Sequence, residues 1–278
     1  MLKALTNQLG RVLLYGALLG HVNIVFAQDP ISLGVSPWTN KGHILKWSQS
    51  VVHHLENQSG KAIRLASADN LQLYMRKAMA QQFDAMFAPI HLALYLIKHH
   101  GYRPYATLRS KGNLLIVAVG SPQLSKLEDL KGVEIILPHE LSGASLVAKH
   151  ALREKGIPFT ARVVNDHWQV MEALKAGRVK VGAVLDLVYE MQGESFRQFS
   201  KEVYRNPISW DALLIFPPKA NSALESVFEP MLNAPELYKH TKFEGTFALS
   251  DAELEAMFES LAPYLKDLQG IIEAGGYR

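Results

Sequence analysis

The sequence predicts an α/β fold in two halves, each built around a mostly parallel β-sheet. Short apolar runs that resemble strands alternate with amphipathic stretches that resemble helices, which is the pattern of βα units. The pattern occurs twice, and the segment Leu73–Pro89 matches Gln169–Asp186 in its apolar positions. Two successive halves of this kind indicate two lobes with a cleft between them, where α/β proteins bind ligands.

The first half contains three predicted βα units. Apolar residues between Ile44 and Leu55 fall on one helical face, and Gly60 is a stop signal after them. A second helix is predicted at Leu71–Gln82. The predicted strands of this half are Ile31–Ser36, Ala62–Ser67 and Ala85–Ala88.

The second half repeats the alternation. Gly156 and Gly177 close its two predicted helices, as glycine often does at a helix C-terminus. The predicted strands are Val133–Leu137, Ala161–Val164 and Val179–Leu185, and the helices are Ser142–Lys155 and Trp168–Ala176.

Two further apolar segments are predicted to cross between the lobes. Asn113–Gly120 is suited to cross from the first lobe to the second, and Trp210–Phe216 to return. The stretches Ser222–Leu232 and Ser250–Leu268 are predicted helices that pack back on the first lobe, and Ser250 is a good N-cap. The predicted boundaries are 1–27 for a signal peptide, 28–113 and 211–278 for the first lobe, and 114–210 for the second.

The N-terminus predicts export. Met1–Ala27 has a basic start with Lys3 and Arg11, a short apolar run, and a cleavage site before Gln28. The apolar run, Val12–Gly20, is shorter than the roughly 20 residues of a membrane-spanning helix. We therefore expect a cleaved signal peptide and a periplasmic protein.

Charge and cysteine content exclude several classes of function. Without the predicted signal peptide the formal charge falls from +3 to +1, and basic and acidic residues are interspersed, which argues against nucleic-acid binding. The chain has no cysteine, which excludes disulfides, a cysteine nucleophile and the acylated cysteine of a lipoprotein. We expect a monomer that is not lipid-anchored and needs no cofactor.

Ordered segments of the chain resemble a known family, the phosphate/phosphite/phosphonate-type substrate-binding components of ABC transporters. The matching segments are ISLGVSPW, FDAMFAPIHLALYL, GYRP, SKLEDLKGVEIILP, LSGASLVAKHALREKGI, DHWQVMEALKAGRV and GAVLDLVYE. The resemblance implies the type II periplasmic binding protein fold, in which two lobes joined by crossing strands close on a ligand. It also implies a small polar, anionic ligand, an ABC permease as partner, and no catalysis. Where phosphonate-binding members carry Ser-Thr-Ser, this chain has Leu141-Ser142-Gly143.

The strongest candidate ligand contacts lie at the start of the helix after Leu141. A helix N-terminus presents unpaired N–H groups and a partial positive charge to an anion. Ser142, Gly143, Ala144 and Ser145 occupy this position, and Gly143 would let a ligand approach the backbone. The alternative is that Ser142 is only an N-cap.

Two more candidates follow strands of the second half. His167 opens a helix, and its imidazole is expected to donate to a ligand oxygen, as the resemblance also implies; the alternative is an ordinary surface or packed histidine. Asp186 ends the strand GAVLD, where its carboxylate would accept from a ligand hydroxyl or amine, or cap the next helix. An acid beside an anion site favours a monoprotonated or zwitterionic ligand.

The first lobe and the return crossing supply the remaining candidates. Pro89 and His91 lie at the end of a strand, and His91 would meet the ligand from the side opposite His167; the alternative is that His91 is only a polar helix start. Trp38 and Trp210 would form aromatic walls; packing under a loop is their alternative.

Other functions have weaker support in the sequence. The pairs His53-His54 and His99-His100 are poor metal sites because adjacent helical side chains point about 100° apart. The chain lacks nucleophile-elbow, HExxH and P-loop motifs. Ser142, His167 and Asp186 could be drawn as a hydrolase triad, but ligand contacts explain them better. A sensory module that signals to a membrane partner such as a histidine kinase is the main alternative to transport.

Overall fold

The structure is a computed structural model that describes residues 29–37, 41–110, 112–232, 234–239 and 243–276. The predicted signal peptide, Met1–Ala27, lies outside the described residues. The described strands form two sheets. One sheet contains β1 (Ile31–Val35), β2 (Ile63–Ala66), β3 (Ala85–Pro89), β4 (Arg103–Ser110), β10 (Ala212–Phe216) and β11 (Phe243–Ala248); the other contains β5 (Leu114–Val119), β6 (Glu134–Leu137), β7 (Thr160–Val163), β8 (Val181–Leu185) and β9 (Ser200–Arg205).

Each sheet has parallel and antiparallel parts. The first sheet has the order β11-β4-β10-β3-β1-β2, in which β1 is parallel to β2 and β3 while β10 is antiparallel to β3 and β4. The second has the order β7-β6-β8-β5-β9, in which β6 is parallel to β7 and β8. The predicted α/β fold with two sheets is confirmed. The expectation that the sheets are mostly parallel is wrong, because five of the nine described strand pairs are antiparallel.

Three strands were not predicted: β4, β9 and β11. Each is antiparallel to its partner, and each mixes charged or polar residues with few aliphatic ones. β9 and β11 are edge strands, which are often polar because one edge faces solvent. Their strand character depends on pairing with neighbours distant in sequence.

The helices cover both faces of the sheets. The long C-terminal helix starts at a capping box formed by Ser250 and Glu253, as the predicted N-cap required. Within the described ranges, no helix has both the length and the apolar character needed to cross a membrane. The helices are α1 (Lys41–Ser59), α2 (Leu71–Met79), α3 (Ile90–His100), α4 (Gly143–Glu154), α5 (His167–Lys175), α6 (Asp186–Glu190), α7 (Glu194–Gln198), α8 (Glu225–Phe228) and α9 (Asp251–Ala274).

The chain passes between the sheets at two short connections, after β4 and after β9. β5 lies entirely in the second sheet and β10 entirely in the first. The crossings are therefore the segment between β4 and β5 and the segment between β9 and β10. The two connections are hydrogen-bonded to each other: Trp210 N–H donates to the Gly112 carbonyl at 3.1 Å, and Asn113 Nδ2 to the Asn206 carbonyl at 3.2 Å. The lobes therefore meet at a paired double crossing.

Helix α9 contacts both lobes. It packs against α3 of the first lobe, as predicted, and also against α4 of the second. Tyr264 of α9 accepts a hydrogen bond from Asn206 Nδ2 at 3.0 Å, and Asp267 forms an ion pair with Arg153 of α4. One continuous core cluster accordingly contains residues of α3, α4, β5 and α9. The domain boundaries given from the sequence remain a prediction.

A substitution at Gly182 of β8 would test how tightly the second lobe is packed. An added Cβ would lie 2.7 Å from Val170 Cγ1 and 3.0 Å from Leu174 Cδ1. We expect Gly182→Ala to destabilise the protein by about 1–3 kcal/mol through overpacking. Urea denaturation measures the change.

The matched control is Gly270→Ala in α9, where an added Cβ has no heavy atom within 4 Å. Alanine is the better helix former, so this variant should gain up to about 1 kcal/mol. A Gly182→Ala protein as stable as the wild type would contradict the described packing between β8 and α5.

Candidate functional site

A cavity of about 70 Å³ lies between the lobes, where strand ends of both sheets face each other. The cavity is lined by predicted site residues from the first lobe, the second lobe and the return crossing. Those residues are Pro89, His91, Ser142, Gly143, His167 and Trp210, and the cavity is completed by Pro37, Leu71, Leu114, Pro138, His139, Asn165, Asp166 and Leu185.

Four of the added lining residues follow the carboxyl ends of parallel strands. Pro138 and His139 come directly after β6, and Asn165 and Asp166 follow β7. Residues at the carboxyl ends of parallel strands gather at one edge of a sheet, which is where such folds bind ligands. This position was the signal that could have identified them from the sequence.

Ser142 occupies the N-cap position of α4, but its hydroxyl makes no capping hydrogen bond. Instead Ser142 Oγ lies 3.3 Å from His167 Nε2, and Ser142 is 3% exposed. Ser142 is therefore the N-cap residue by position, but its hydroxyl does not cap the helix. The Ser142 side chain is held at the cavity by His167 of α5.

Hydrogen bonds determine which nitrogen of His167 carries its proton. The backbone N–H of Leu185 donates to His167 Nδ1 at 3.1 Å, so Nδ1 is the acceptor nitrogen. Burial lowers the pKa of His167 to about 4, so the ring is neutral at neutral pH and carries its proton on Nε2. Nε2–H then donates to Ser142 Oγ, which leaves the serine O–H free to donate elsewhere.

The directions of the hydrogen bonds at His167 argue against a catalytic triad. A histidine that activates a serine needs an unprotonated Nε2 and donates from Nδ1 to a carboxylate. Here Nδ1 accepts from Leu185 N–H, and Asp186 pairs with Arg205, with Asp186 Oδ2 and Arg205 Nη1 3.0 Å apart. In this arrangement His167 donates to Ser142 and removes no proton from it.

His91 forms a hydrogen bond between the two lobes. It lies in the first turn of α3 and is 1% exposed, and its Nε2 is 2.8 Å from the Leu141 carbonyl oxygen of the second lobe. Burial is the main cause that lowers the pKa of His91 to about 4. His91 is therefore a neutral donor in an interlobe hydrogen bond.

Trp210 lies on the first residue of α4. A Cβ added to Gly143 would be 2.5 Å from both Cε3 and Cζ3 of the indole, so only glycine fits beneath the ring. The indole also packs edge-on against His91, with ring centroids 4.9 Å apart, and against Tyr264 at 5.7 Å. Gly143 was predicted to admit a ligand to the backbone, and in this structure the close approach is made by Trp210.

Ala144 and Ser145 lie in the first turn of α4 and are buried, and neither lines the interlobe cavity. The Ser145 hydroxyl donates to the Pro138 carbonyl at 2.6 Å. It thereby ties α4 to the segment that follows β6.

Asp186 and Pro89 line a second cavity of about 190 Å³, which adjoins the first at Pro89 and Leu185. Asp186 is 5% exposed, and burial raises the pKa of its carboxyl while Arg205 opposes the rise. Arg205 was not among the predicted residues; its position in β9, an unpredicted strand, explains the omission.

Trp38 lies outside the described residues. A larger cavity of about 290 Å³ lies within the first lobe and contains none of the predicted residues. We assign the site to the interlobe cavity because both lobes contribute polar groups there. Within the described ranges, no group of three or more His, Cys, Asp or Glu residues is arranged to hold a metal ion.

Comparison with known proteins identifies the family. Residues 33–205 match the family model for the phosphonate periplasmic substrate-binding protein of ABC transporters. The chain belongs to this family. No curated protein matches it by sequence.

Solved structures of similar fold include a binding protein component of an ABC phosphonate transporter from Pseudomonas aeruginosa. It is 12% identical, with a TM-score of 0.70 over 89% of this chain and 99% of that one. Prochlorococcus marinus PhnD1, in complex with methylphosphonate, is 13% identical, with a TM-score of 0.69 over 84% and 98%. A Xanthomonas citri protein bound to ATP is 14% identical, with a TM-score of 0.68 over 86% and 98%. At these identities the likeness shows the two-lobed fold.

Family membership confirms the main functional prediction. This phosphonate-type binding protein is a periplasmic component of an ABC transporter and not an enzyme. Its partners are a small anionic ligand and an inner-membrane ABC permease.

The two buried histidines predict a stability that depends on pH. A histidine of the unfolded chain binds a proton below about pH 6.5. In the folded protein His91 and His167 do not bind this proton until about pH 4. The free energy of unfolding should therefore fall as the pH is lowered through this window, by about 1.4 kcal/mol per pH unit for each histidine.

Urea denaturation of the wild type and of His91→Gln between pH 7 and about 4.5 isolates one of the two contributions. The variant should lose the slope that belongs to His91, and His53→Gln, on the exposed surface of α1, is the matched replacement. Parallel curves for the wild type and His91→Gln would contradict a neutral, buried His91.

Proposed function

We propose that the protein captures a small tetrahedral oxyanion of the phosphonate or phosphate type in the interlobe cavity. The observation that carries the proposal is the Ser142 hydroxyl. It lies at the N-terminus of α4, makes no capping bond, and accepts from His167, so that its own proton is free for an anion. Ligand contacts to both lobes would then stabilise the closed form.

The cavity favours a ligand of few atoms. Its volume of about 70 Å³ is well below the roughly 300–1,000 Å³ of pockets for drug-sized molecules. An oxyanion with a hydrogen or methyl substituent suits this space. A longer substituent would reach the adjoining cavity and meet Asp186.

Within this site we propose unequal roles for the predicted residues. Ser142 donates to the ligand, and His167 orients Ser142 without touching the ligand, because both of its nitrogens have protein partners. Trp210 and Pro89 form walls. Ala144 and Ser145 support the start of α4, and Trp38 remains a proposed wall.

We further propose that the protein acts as a monomer and delivers its ligand to a permease. The family match favours transport over the alternative of a ligand sensor. Co-purification with the permease in the presence of ligand supports transport, whereas ligand-dependent control of a histidine kinase would support sensing.

Ser142→Ala should weaken binding of methylphosphonate by about tenfold to a hundredfold, since it removes a hydrogen bond to a charged group. His167→Ala should weaken binding as well. Because we expect His167 to act through Ser142, the double variant should bind nearly as well as Ser142→Ala alone. Calorimetry on the four proteins measures the coupling.

The matched control is Ser260→Ala, an exposed serine of α9. It should bind like the wild type. Unchanged affinity in both Ser142→Ala and His167→Ala would refute the site, and fully additive losses would refute the indirect role of His167.

Export of the full chain in a bacterial host tests the predicted signal peptide. The periplasmic product should start at Gln28 and carry no lipid, which intact-mass measurement reads directly. A product that retains Met1–Ala27 would contradict cleavage.

A further inference from the structure

His91 contains a buried nitrogen with an unused lone pair. Its Nε2 faces the Leu141 carbonyl oxygen, which can only accept, so Nε2 carries the proton. In a neutral imidazole the other nitrogen then has no hydrogen and must accept. Nδ1 is enclosed and has no hydrogen-bond partner among the described residues.

Several other polar atoms of the cavity already have hydrogen-bond partners. His167 uses both nitrogens, His139 Nδ1 accepts from Leu141 N–H at 3.2 Å, and Asp166 accepts from Gln169 N–H at 2.8 Å. Among the described side-chain atoms that are buried without a partner, His91 Nδ1 belongs to a cavity-lining residue. Pairing of His91 Nδ1 therefore requires a hydrogen-bond donor beside this ring.

The ring is held in this orientation from two sides. Trp210 packs edge-on against it from the return crossing, and the Leu141 carbonyl fixes Nε2 from the second lobe. Burial lowers the pKa of His91 to about 4, so at neutral pH the ring does not supply a second N–H itself. Nδ1 stays an acceptor.

We propose that His91 makes the site selective for oxyanions that carry an O–H group, so that the bound species is the monoprotonated phosphonate. One ligand oxygen would accept from the Ser142 hydroxyl, while the ligand's O–H would donate to His91 Nδ1. A sulfonate of the same shape and charge has no such proton, and its oxygen would face the nitrogen lone pair. The inference rests on the proposed oxyanion function and assigns the protonation state that the site accepts.

The first test uses the wild-type protein with two matched ligands, methylphosphonate and methanesulfonate. Near neutral pH we expect methylphosphonate to bind at least about a hundredfold more tightly, because buried groups left unpaired discriminate strongly. Above the second ionisation of methylphosphonate its affinity should fall by about tenfold per pH unit as the monoanion disappears.

Two substitutions distinguish the roles of the two ring nitrogens of His91. In His91→Gln the amide nitrogen takes the position of Nε2 and keeps the bond to Leu141, but no acceptor remains at the Nδ1 position. In His91→Asn the amide oxygen lies where Nδ1 was and the Leu141 bond is lost. We expect His91→Gln to bind the two ligands within about tenfold of each other, since the unpaired acceptor is gone, and His91→Asn to keep most of the preference. Thermal unfolding establishes that each variant is folded; if neither folds, the wild-type comparison decides.

The outcomes are distinct. Equal binding of both ligands by the wild type, or an affinity for methylphosphonate that rises with pH, would overturn the inference and leave oxyanion binding intact. Full discrimination in folded His91→Gln would also overturn it, because other groups, among them His139, Asp166 and His167, would then select the proton. Failure of the wild type to bind methylphosphonate, phosphite or phosphate would overturn both the proposed function and this inference.

Discussion

The contact between the Trp210 indole and the Cα of Gly143 is the constraint on which the site depends. Trp210 belongs to the return crossing, Gly143 starts α4 of the second lobe, and the indole also touches His91 of the first lobe and Tyr264 of α9. One aromatic ring thus contacts both lobes, one crossing and the C-terminal helix. Because the approach leaves no room for a Cβ, the start of α4 has a defined distance from the crossing.

The polarity of the cavity follows from fixed hydrogen-bond directions. A backbone N–H at the end of β8 donates to His167, His167 donates to Ser142, and Ser142 has a proton left over. On the facing lobe, His91 gives its only proton to the Leu141 carbonyl and has a lone pair left over. Ser142 of the second lobe therefore offers a donor, and His91 of the first lobe offers an acceptor.

These directions also distinguish binding from catalysis. Serine, histidine and aspartate have the composition of a hydrolase triad, but the backbone donor at His167 Nδ1 and the pairing of Asp186 with Arg205 reverse the roles that catalysis requires. The family match agrees with this chemistry. Residue type alone does not separate the two functions, whereas the direction of the hydrogen bonds does.

The sequence by itself determined the α/β class, the two halves, most parallel strands, the cap at Ser250 and the family, because these depend on local periodicity and ordered segments. It also brought Ser142, His167 and His91 forward as candidates. Only the tertiary structure decided how they interact, since Ser142 and His167 lie 25 positions apart and His91 and Leu141 50. Their hydrogen bonds depend on strand order and on the packing of Trp210. The antiparallel strands β4, β9 and β11 also needed the tertiary structure, because distant partners rather than their own residues make them strands.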